Sequence, residues 1–149
     1  MASRRDLIKL TEEELRAFLD EQKVVTCATI GPNGRPHLMP LWYVMDDEDL
    51  LGWTYAKSQK TKNLERDPHA TLQIEDGVEY QELRGVMMEC DVEVAREDVE
   101  AFGTALFARY APGVDVGDMI RQQAPKRVGL RFTPTRIVTW DHAKLGGAY

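Results

Sequence analysis

Tight turns join most of the strand-like segments in this chain, and this connectivity is the strongest constraint on its fold. Apolar residues occupy every second position from Val86 to Val94, with Glu or Asp at most of the positions between. Such alternation is typical of an antiparallel strand with one face in water. Short turns can join antiparallel strands, whereas parallel strands need a long crossover. We therefore expect a mainly β protein, with an antiparallel sheet closed into a barrel and peripheral helices.

Six strands and four helices are predicted. The segment 35–45 is unusual because its apolar residues fall on both faces, so it is central to a barrel or lies under a ligand or a partner chain. Pro36 and Pro40 each remove a backbone donor from that strand, and Pro134 predicts an irregularity in the last strand. Thr11 begins a capping-box pattern at the first helix. The predicted strands are 24–30, 35–45, 50–55, 69–75, 86–95 and 126–140, and the predicted helices are 12–22, 57–67, 99–110 and 115–123.

Length, charge and cysteine usage limit the possible classes of function. The 149 residues are enough for one domain with its own core, so we expect residues 1–149 to form a single domain. A net charge of −6 disfavours nucleic acid or an anionic membrane surface as the partner. There is no apolar run of membrane-spanning length and no signal-peptide pattern, which predicts a cytoplasmic protein. Cys27 and Cys90 form no C-x-x-C pattern and are predicted to be buried.

The sequence lacks the usual hydrolase and nucleotide motifs, and its most informative polar segment is a basic run. G-x-S-x-G, H-E-x-x-H, Walker A and G-x-G-x-x-G patterns are all missing, and scattered histidines predict no metal site. Residues 57–66 hold four basic residues and one acidic residue at the start of a predicted helix. Free N–H groups there, with the hydroxyls of Ser58 and Thr61 and a lysine, suit a phosphate. A solvated helix face is the alternative for this run.

The aromatic residues allow two interpretations. Core packing is the ordinary role of tryptophan and tyrosine, but aromatic side chains also dominate flat-ligand sites and dimer interfaces. The residues concerned are Trp42, Trp53, Tyr55 and Trp140.

Five segments follow one another along the chain. They are a strand, an acidic turn, a phosphate loop, an Asp-Pro pair and a Trp-Asp-His tail. These segments are 38–41, 46–49, 53–60, 67–68 and 140–147. Together they resemble the flavin-binding half of the pyridoxamine 5′-phosphate oxidase superfamily, in its actinobacterial branch of flavin/deazaflavin oxidoreductases. Many members of that branch use the deazaflavin coenzyme F420. The resemblance covers nearly the whole chain, and the phosphate loop and the tail are its most specific parts.

The resemblance implies a six-stranded antiparallel split β-barrel of the FMN-binding-protein type, in a homodimer with two cofactors at the interface. It implies neither a catalytic side chain nor a metal. The backbone of Leu38, Met39, Pro40 and Leu41 would face the tricyclic ring of the cofactor. The phosphate would be surrounded by Thr54, Ser58, Lys60, Thr61, Lys62 and Asn63. Trp140 and the tail would approach the site. They would come either from the same subunit or from the partner subunit.

Two departures from pyridoxamine phosphate oxidase itself disfavour vitamin B6 oxidation. Gln59 stands where that enzyme has an arginine, and the C-terminal Arg-His segment that grips its substrate is missing. The resemblance implies instead that a hydride passes from reduced F420 to a conjugated small-molecule acceptor. Because the cofactor carries this chemistry, no dedicated acid or base is required.

The number of cations in the basic run favours F420 as the cofactor. Lys57, Lys60, Lys62 and Arg66 exceed what one phosphate needs, and they suit the polyglutamate tail of F420. Two alternatives stay open. One is an FMN enzyme of the same fold, and the other is a non-catalytic carrier of flavin, deazaflavin or haem.

Overall fold

The computed structural model describes residues 1–147, which are built on one antiparallel sheet of seven strands with helices at its periphery. The sheet has the hydrogen-bonded order β2-β1-β5-β6-β7-β4-β3. Its strands are β1 (Val25–Ile30), β2 (Pro36–Leu41), β3 (Val44–Asp46), β4 (Asp49–Tyr55), β5 (His69–Asp76), β6 (Arg84–Ala95) and β7 (Arg127–Asp141). The helices are α1 (Arg4–Leu7), α2 (Glu12–Glu21), α3 (Gln59–Arg66), α4 (Val99–Tyr110) and α5 (Gly117–Gln123). Short 3₁₀ turns cover Tyr80–Glu82, Ala124–Lys126 and His142–Leu145.

The segment predicted as one strand over 35–45 is two strands, which corrects the expected count from six to seven. The chain divides at Tyr43, a fully buried residue whose backbone bonds to side chains of α4. Its N–H donates to the hydroxyl of Tyr110 at 3.0 Å, and its carbonyl accepts from Nη1 of Arg109 at 2.6 Å. These bonds replace the ladder bonds of a continuous strand. They come from residues more than 60 positions away, so the local pattern could not show them.

The expected closed barrel is also corrected. The two edge strands, β2 and β3, do not pair with each other, so the sheet formed by residues 1–147 is not closed. The prediction that 35–45 is central to a barrel is therefore wrong, and its alternative, a strand lying under a ligand or a partner chain, stays a prediction. Within the same residues, no helix is long and apolar enough to cross a membrane.

The longest strand pair, β6 with β7, contains the irregularity predicted at Pro134. Glu89 is opposite Arg136 and the next residue, Cys90, is opposite Pro134. Thr135 is therefore an extra residue, and its hydroxyl donates to the carbonyl of Glu89 at 3.1 Å. Proline cannot donate to the ladder, so a bulge at this position agrees with its chemistry.

The main core joins the sheet to α2 and α3. Phe18 and Leu19 of α2 and Leu64 of α3 are buried in it, together with both cysteines. Burial raises the pKa of Cys27 to about 11 and that of Cys90 to about 12. The predicted burial of both thiols is confirmed.

The helix starts agree in part with the sequence patterns. Thr11 caps α2 in a full capping box: its hydroxyl accepts from the N–H of Glu14 at 3.1 Å and its own N–H donates to that carboxylate at 2.8 Å. The helix predicted over 115–123 begins later, at Gly117, because Asp115 accepts the N–H of Gly117 from outside the helix.

Two glycines let α4 pack closely against the sheet. A methyl group at Gly103 of α4 would lie 2.9 Å from the ring of Trp53 in β4. A methyl group at Gly129 of β7 would lie 2.5 Å from the ring of Phe102 in α4. The helix and the sheet thus each provide a glycine beneath an aromatic ring of the other. This close packing fixes α4 beside β4.

Candidate functional site

A pocket of about 420 Å³ opens between the end of β2, the end of β4 and the helices α4 and α5. Its floor and walls are mostly aromatic and apolar, with two cations and few other polar groups. The strand residues are Pro40, Leu41, Trp53, Thr54, Tyr55 and Arg127, Trp42 lies in the break after β2, and the helices add Lys60, Leu106, Phe107, Met119 and Gln123. The residues that line it include no carboxylate and no imidazole.

Lys60 is the better buried of the two cations. It follows the N-terminal residue of α3 and is 7% exposed, with Nζ donating to the Thr54 hydroxyl at 3.0 Å. Within residues 1–147 it forms no ion pair. Burial lowers the pKa of Lys60, and the nearby positive charge of Arg127 lowers it further. The ammonium is therefore a partly desolvated charge without a counter-ion.

Arg127, at the start of β7, is the second cation, and sequence reasoning missed it. The guanidinium carbon lies 3.7 Å from the ring centre of Tyr55 and 4.8 Å from that of Trp53. Its Nε is buried and has no hydrogen-bond partner among residues 1–147, and one Nη reaches Gln123 only at 3.5 Å. A single arginine at the start of a distant strand gave no signal in the sequence. Only the pairing of β7 with β4 brings it next to Tyr55.

The hydroxyl and amide groups of Ser58, Thr61 and Asn63 form hydrogen bonds within the chain. Ser58 caps α3 by accepting from the N–H of Thr61 at 3.2 Å, and the Thr61 hydroxyl donates to the Tyr55 carbonyl at 2.9 Å. Asn63 donates to the Thr29 hydroxyl at 3.1 Å. Thr61 and Asn63 are both 0% exposed, so neither presents surface to a ligand. They hold α3 against the sheet and thereby position Lys60.

Other predicted site residues lie outside the pocket in a single chain. Lys62 is exposed, because two residues along a helix turn its side chain by about 200° from that of Lys60. Leu38 and Met39 lie on edge strand β2, 60% and 46% exposed. Trp140 lies near the far end of β7 from Arg127, against Gly85. Of the predicted set, the structure brings together Pro40, Leu41, Thr54 and Lys60.

The pocket combines two chemical features. Lys60 and Arg127 have no counter-ion in the described part of the chain, and two such cations suit an oxyanion. The aromatic and apolar walls beside them suit a flat ring system. A ligand that carries both a phosphate and a planar ring matches this arrangement.

The family model described as pyridoxamine 5′-phosphate oxidase matches residues 11–141. The chain belongs to the pyridoxamine 5′-phosphate oxidase family. A solved putative pyridoxamine 5′-phosphate oxidase shares the antiparallel fold described above, and the family match points to an oxidoreductase.

Three similar proteins match most of the length of the chain. Conserved hypothetical protein Rv2991 from Mycobacterium tuberculosis is 38% identical, with a TM-score of 0.90 over 99% of this chain and 95% of that one. A 5a,11a-dehydrotetracycline/5a,11a-dehydrooxytetracycline reductase from Streptomyces rimosus is 23% identical over 134 residues, covering 87% of this chain and 82% of that protein. A solved F420 reductase is 24% identical, with a TM-score of 0.63 over 82% of this chain and 94% of that one, and shows the shared fold.

Proposed function

We propose that this protein is an F420-dependent oxidoreductase that reduces a conjugated small-molecule acceptor. The observation that carries the proposal is a pair of cations, Lys60 and Arg127, that lack counter-ions among the described residues and line an aromatic-walled pocket. The similarity to a tetracycline reductase and to an F420 reductase supports it.

The residues present fit a phosphorylated tricyclic cofactor. Lys60 and Arg127 would hold its phosphate, with the Thr54 hydroxyl as a further hydrogen-bonding group. The backbone of Pro40 and Leu41, at the end of edge strand β2, would face its ring. Two prolines in β2 leave few donors there, so this backbone offers mainly carbonyl oxygens to a ligand.

Reduced F420 supplies a hydride when it is bound. The acceptor would gain that hydride, with its two electrons, at its electrophilic carbon and a proton from solvent. The protein's part is to position the two molecules and to exclude water. The apolar walls built by Trp42, Phe107 and Met119 serve this purpose, and no carboxylate or histidine of the pocket is needed for proton transfer.

The charge around the pocket favours F420 over FMN. Lys57 precedes α3 and is exposed, at the same end of the helix as Lys60. With Arg127 it gives three cations at this end, one or two more than a single phosphate needs. The anionic tail of F420 is a partner for the remaining charge. Lys57, Lys62 and Arg66 do not themselves line this pocket, and of the three only Lys57 lies at the N-terminal end of α3.

A second copy of the chain is proposed to complete the site. Edge strand β2 leaves Leu38 and Met39 in water, and Ile30 of the neighbouring strand β1 is 42% exposed. An apolar edge of this kind is a pairing surface. A homodimer formed there would cover it, and the proposal includes the approach of Trp140, distant from the pocket of its own chain, to the partner's site.

Titration of the purified protein with F420 and with FMN tests the proposal. We expect F420 to bind, and reduced F420 to be oxidised when a conjugated acceptor is added. Stoichiometric FMN retained through purification, with no F420 binding, would establish the FMN enzyme instead. Binding of haem alone would establish a carrier.

A further inference from the structure

A second pocket, of about 290 Å³, lies between α2, the turn that joins β3 to β4, and the middle of β7. Strand β4 pairs with β7 only as far as Phe132. From Thr133 onward, no strand of the described chain lies on that side of β7. The space between this part of β7 and α2 is the second pocket, and it shares no lining residue with the pocket proposed for the cofactor.

The floor of the second pocket is apolar. Its side chains come from α2, β3, β6 and β7, and they are Leu15, Leu19, Met45, Met88 and Ile137. Leu19 and Met88 belong to the buried core, whereas Ile137 is 47% exposed. The floor is therefore apolar surface in contact with water, and an apolar group that covered it would be stabilised there.

Carboxylates line the mouth of the second pocket from two sides. Glu12 and Asp20 belong to α2, and Asp47, Glu48 and Asp49 belong to the turn between β3 and β4. Asp49 pairs with Arg131 at 3.1 Å. The other four residues are exposed, and their carboxylates form no hydrogen bond or ion pair within residues 1–147. We call this pocket, with its apolar floor and these five carboxylates, the acidic groove.

The charge of the acidic groove is opposite to that of the cofactor pocket. Arg16 of α2 is the one cation among the described residues that line the groove. It can offset one carboxylate at most, so negative charge remains in excess. A cleft with apolar walls and charges of one sign concentrates ions of the other sign. The acidic groove therefore favours a cation, whereas Lys60 and Arg127 of the cofactor pocket favour an anion.

The size of the acidic groove favours a small molecule over a protein partner. A stable protein interface buries about 800 Å² on each partner, whereas a volume of about 290 Å³ is close to the lower limit for small-ligand pockets. We propose that the acidic groove binds an organic ammonium ion with a compact apolar body, such as an arylalkylamine. The apolar body would contact Met45, Met88 and Ile137, and the ammonium group would lie near the carboxylates of Asp20 and Glu48.

Phenethylammonium is the probe for this proposal, added to the full chain without cofactor. The protein carries ¹³C-labelled methionine methyl groups, and their NMR signals are followed during the titration. Met45 and Met88 report on the groove, and Met119 reports on the cofactor pocket. Two compounds of similar shape serve as controls, the neutral 2-phenylethanol and the anionic 3-phenylpropanoate.

We expect phenethylammonium to shift the Met45 and Met88 signals with a Kd of roughly 10 mM or lower, the affinity of a ligand of this size. The Met119 signal should not move. The neutral alcohol should bind about fivefold or more weakly, and the anion should not bind.

Two charge variants and a matched control test the role of the carboxylates. Asp20→Asn and Glu48→Gln should each raise the Kd about two- to fivefold, as expected for an exposed ion pair. Glu13→Gln removes a carboxylate from α2 outside the groove, and it should leave the Kd unchanged. Thermal unfolding curves show whether each variant is folded.

Four results would overturn the proposal. They are an alcohol that binds as tightly as the ammonium ion, shifts at Met119 without shifts at Met45 and Met88, equal Kd values for the two charge variants and Glu13→Gln, and no shift at any methionine. The titration uses no F420. Its outcome is therefore independent of whether the proposed oxidoreductase function is correct.

Discussion

Replacing Lys60 with methionine should stabilise the cofactor-free protein and weaken cofactor binding. Lys60 is 7% exposed, and its ammonium has one acceptor, the Thr54 hydroxyl at 3.0 Å, and no carboxylate among the described residues. Methionine keeps the unbranched stem and removes the buried donors. This one substitution therefore measures two effects of the buried charge. It shows how much the charge destabilises the cofactor-free protein and how much it strengthens cofactor binding.

The size of both effects follows from this geometry. A buried donor without an acceptor costs about 1–3 kcal/mol, so the unfolding free energy of the cofactor-free protein should rise by about that amount. The corresponding rise in Tm is about 2–4 °C per kcal/mol for a chain of this length. A charge-assisted hydrogen bond to phosphate contributes about 1.5–3 kcal/mol, so the Kd for F420 should rise roughly 10- to 150-fold.

The stability difference between Lys60→Met and the wild type should depend on pH. Burial lowers the pKa of Lys60 in the folded protein, below the ordinary lysine value of about 10.4. Between the folded and unfolded pKa values the unfolded chain binds more protons, so the wild type gains stability as pH rises through this interval. The advantage of Lys60→Met should be full below the folded pKa and should shrink above it.

Thermal and urea unfolding without cofactor, with F420 titration, measure these effects. Lys62→Met is the matched control, because it removes a lysine from the exposed side of the same helix, outside the pocket. Lys62→Met should change the unfolding free energy and the Kd for F420 little. A cofactor-free Lys60→Met protein less stable than the wild type would refute the argument that the ammonium is uncompensated. Unchanged F420 affinity would refute the anion site.

Four further predictions concern core packing, the reactivity of the thiols, assembly of the dimer and the salt dependence of cofactor binding. Gly103→Ala should lower the unfolding free energy by about 1–3 kcal/mol, because the methyl group meets the Trp53 ring; an unchanged melting curve would contradict this packing. Cys27 and Cys90 should react with a thiol reagent far more slowly in the folded than in the unfolded protein, and fast labelling of the folded form would argue against their burial. Light scattering should report a dimer that Met39→Asp dissociates, and a monomeric wild type would exclude the proposed interface. F420 should bind more tightly than FMN at low salt, by a margin that narrows as added salt shortens the Debye length toward roughly 8 Å; a margin insensitive to salt would rule out an exposed anionic tail contact.

Local sequence patterns were sufficient for most of the elements. Alternation identified β6, the capping box at Thr11 identified the start of α2, and Pro134 marked the bulge in β7. The phosphate loop and Lys60 were also found from the sequence, because a strand followed by a helix N-terminus with a nearby lysine is a contiguous pattern. Each of these features depends on residues close together in the chain.

Long-range contacts decided the rest. The break at Tyr43 depends on Arg109 and Tyr110, and the second cation of the pocket, Arg127, becomes a neighbour of Tyr55 only when β7 pairs with β4. Thr61 and Asn63 are buried and support α3 through hydrogen bonds to Tyr55 and Thr29, which the local pattern could not show. The sequence determined which residues have the chemistry to bind an anion and a ring, since side-chain type and local spacing are visible in it. Only the tertiary structure decided which of them share one pocket, because that depends on strand pairing and burial between segments distant along the chain.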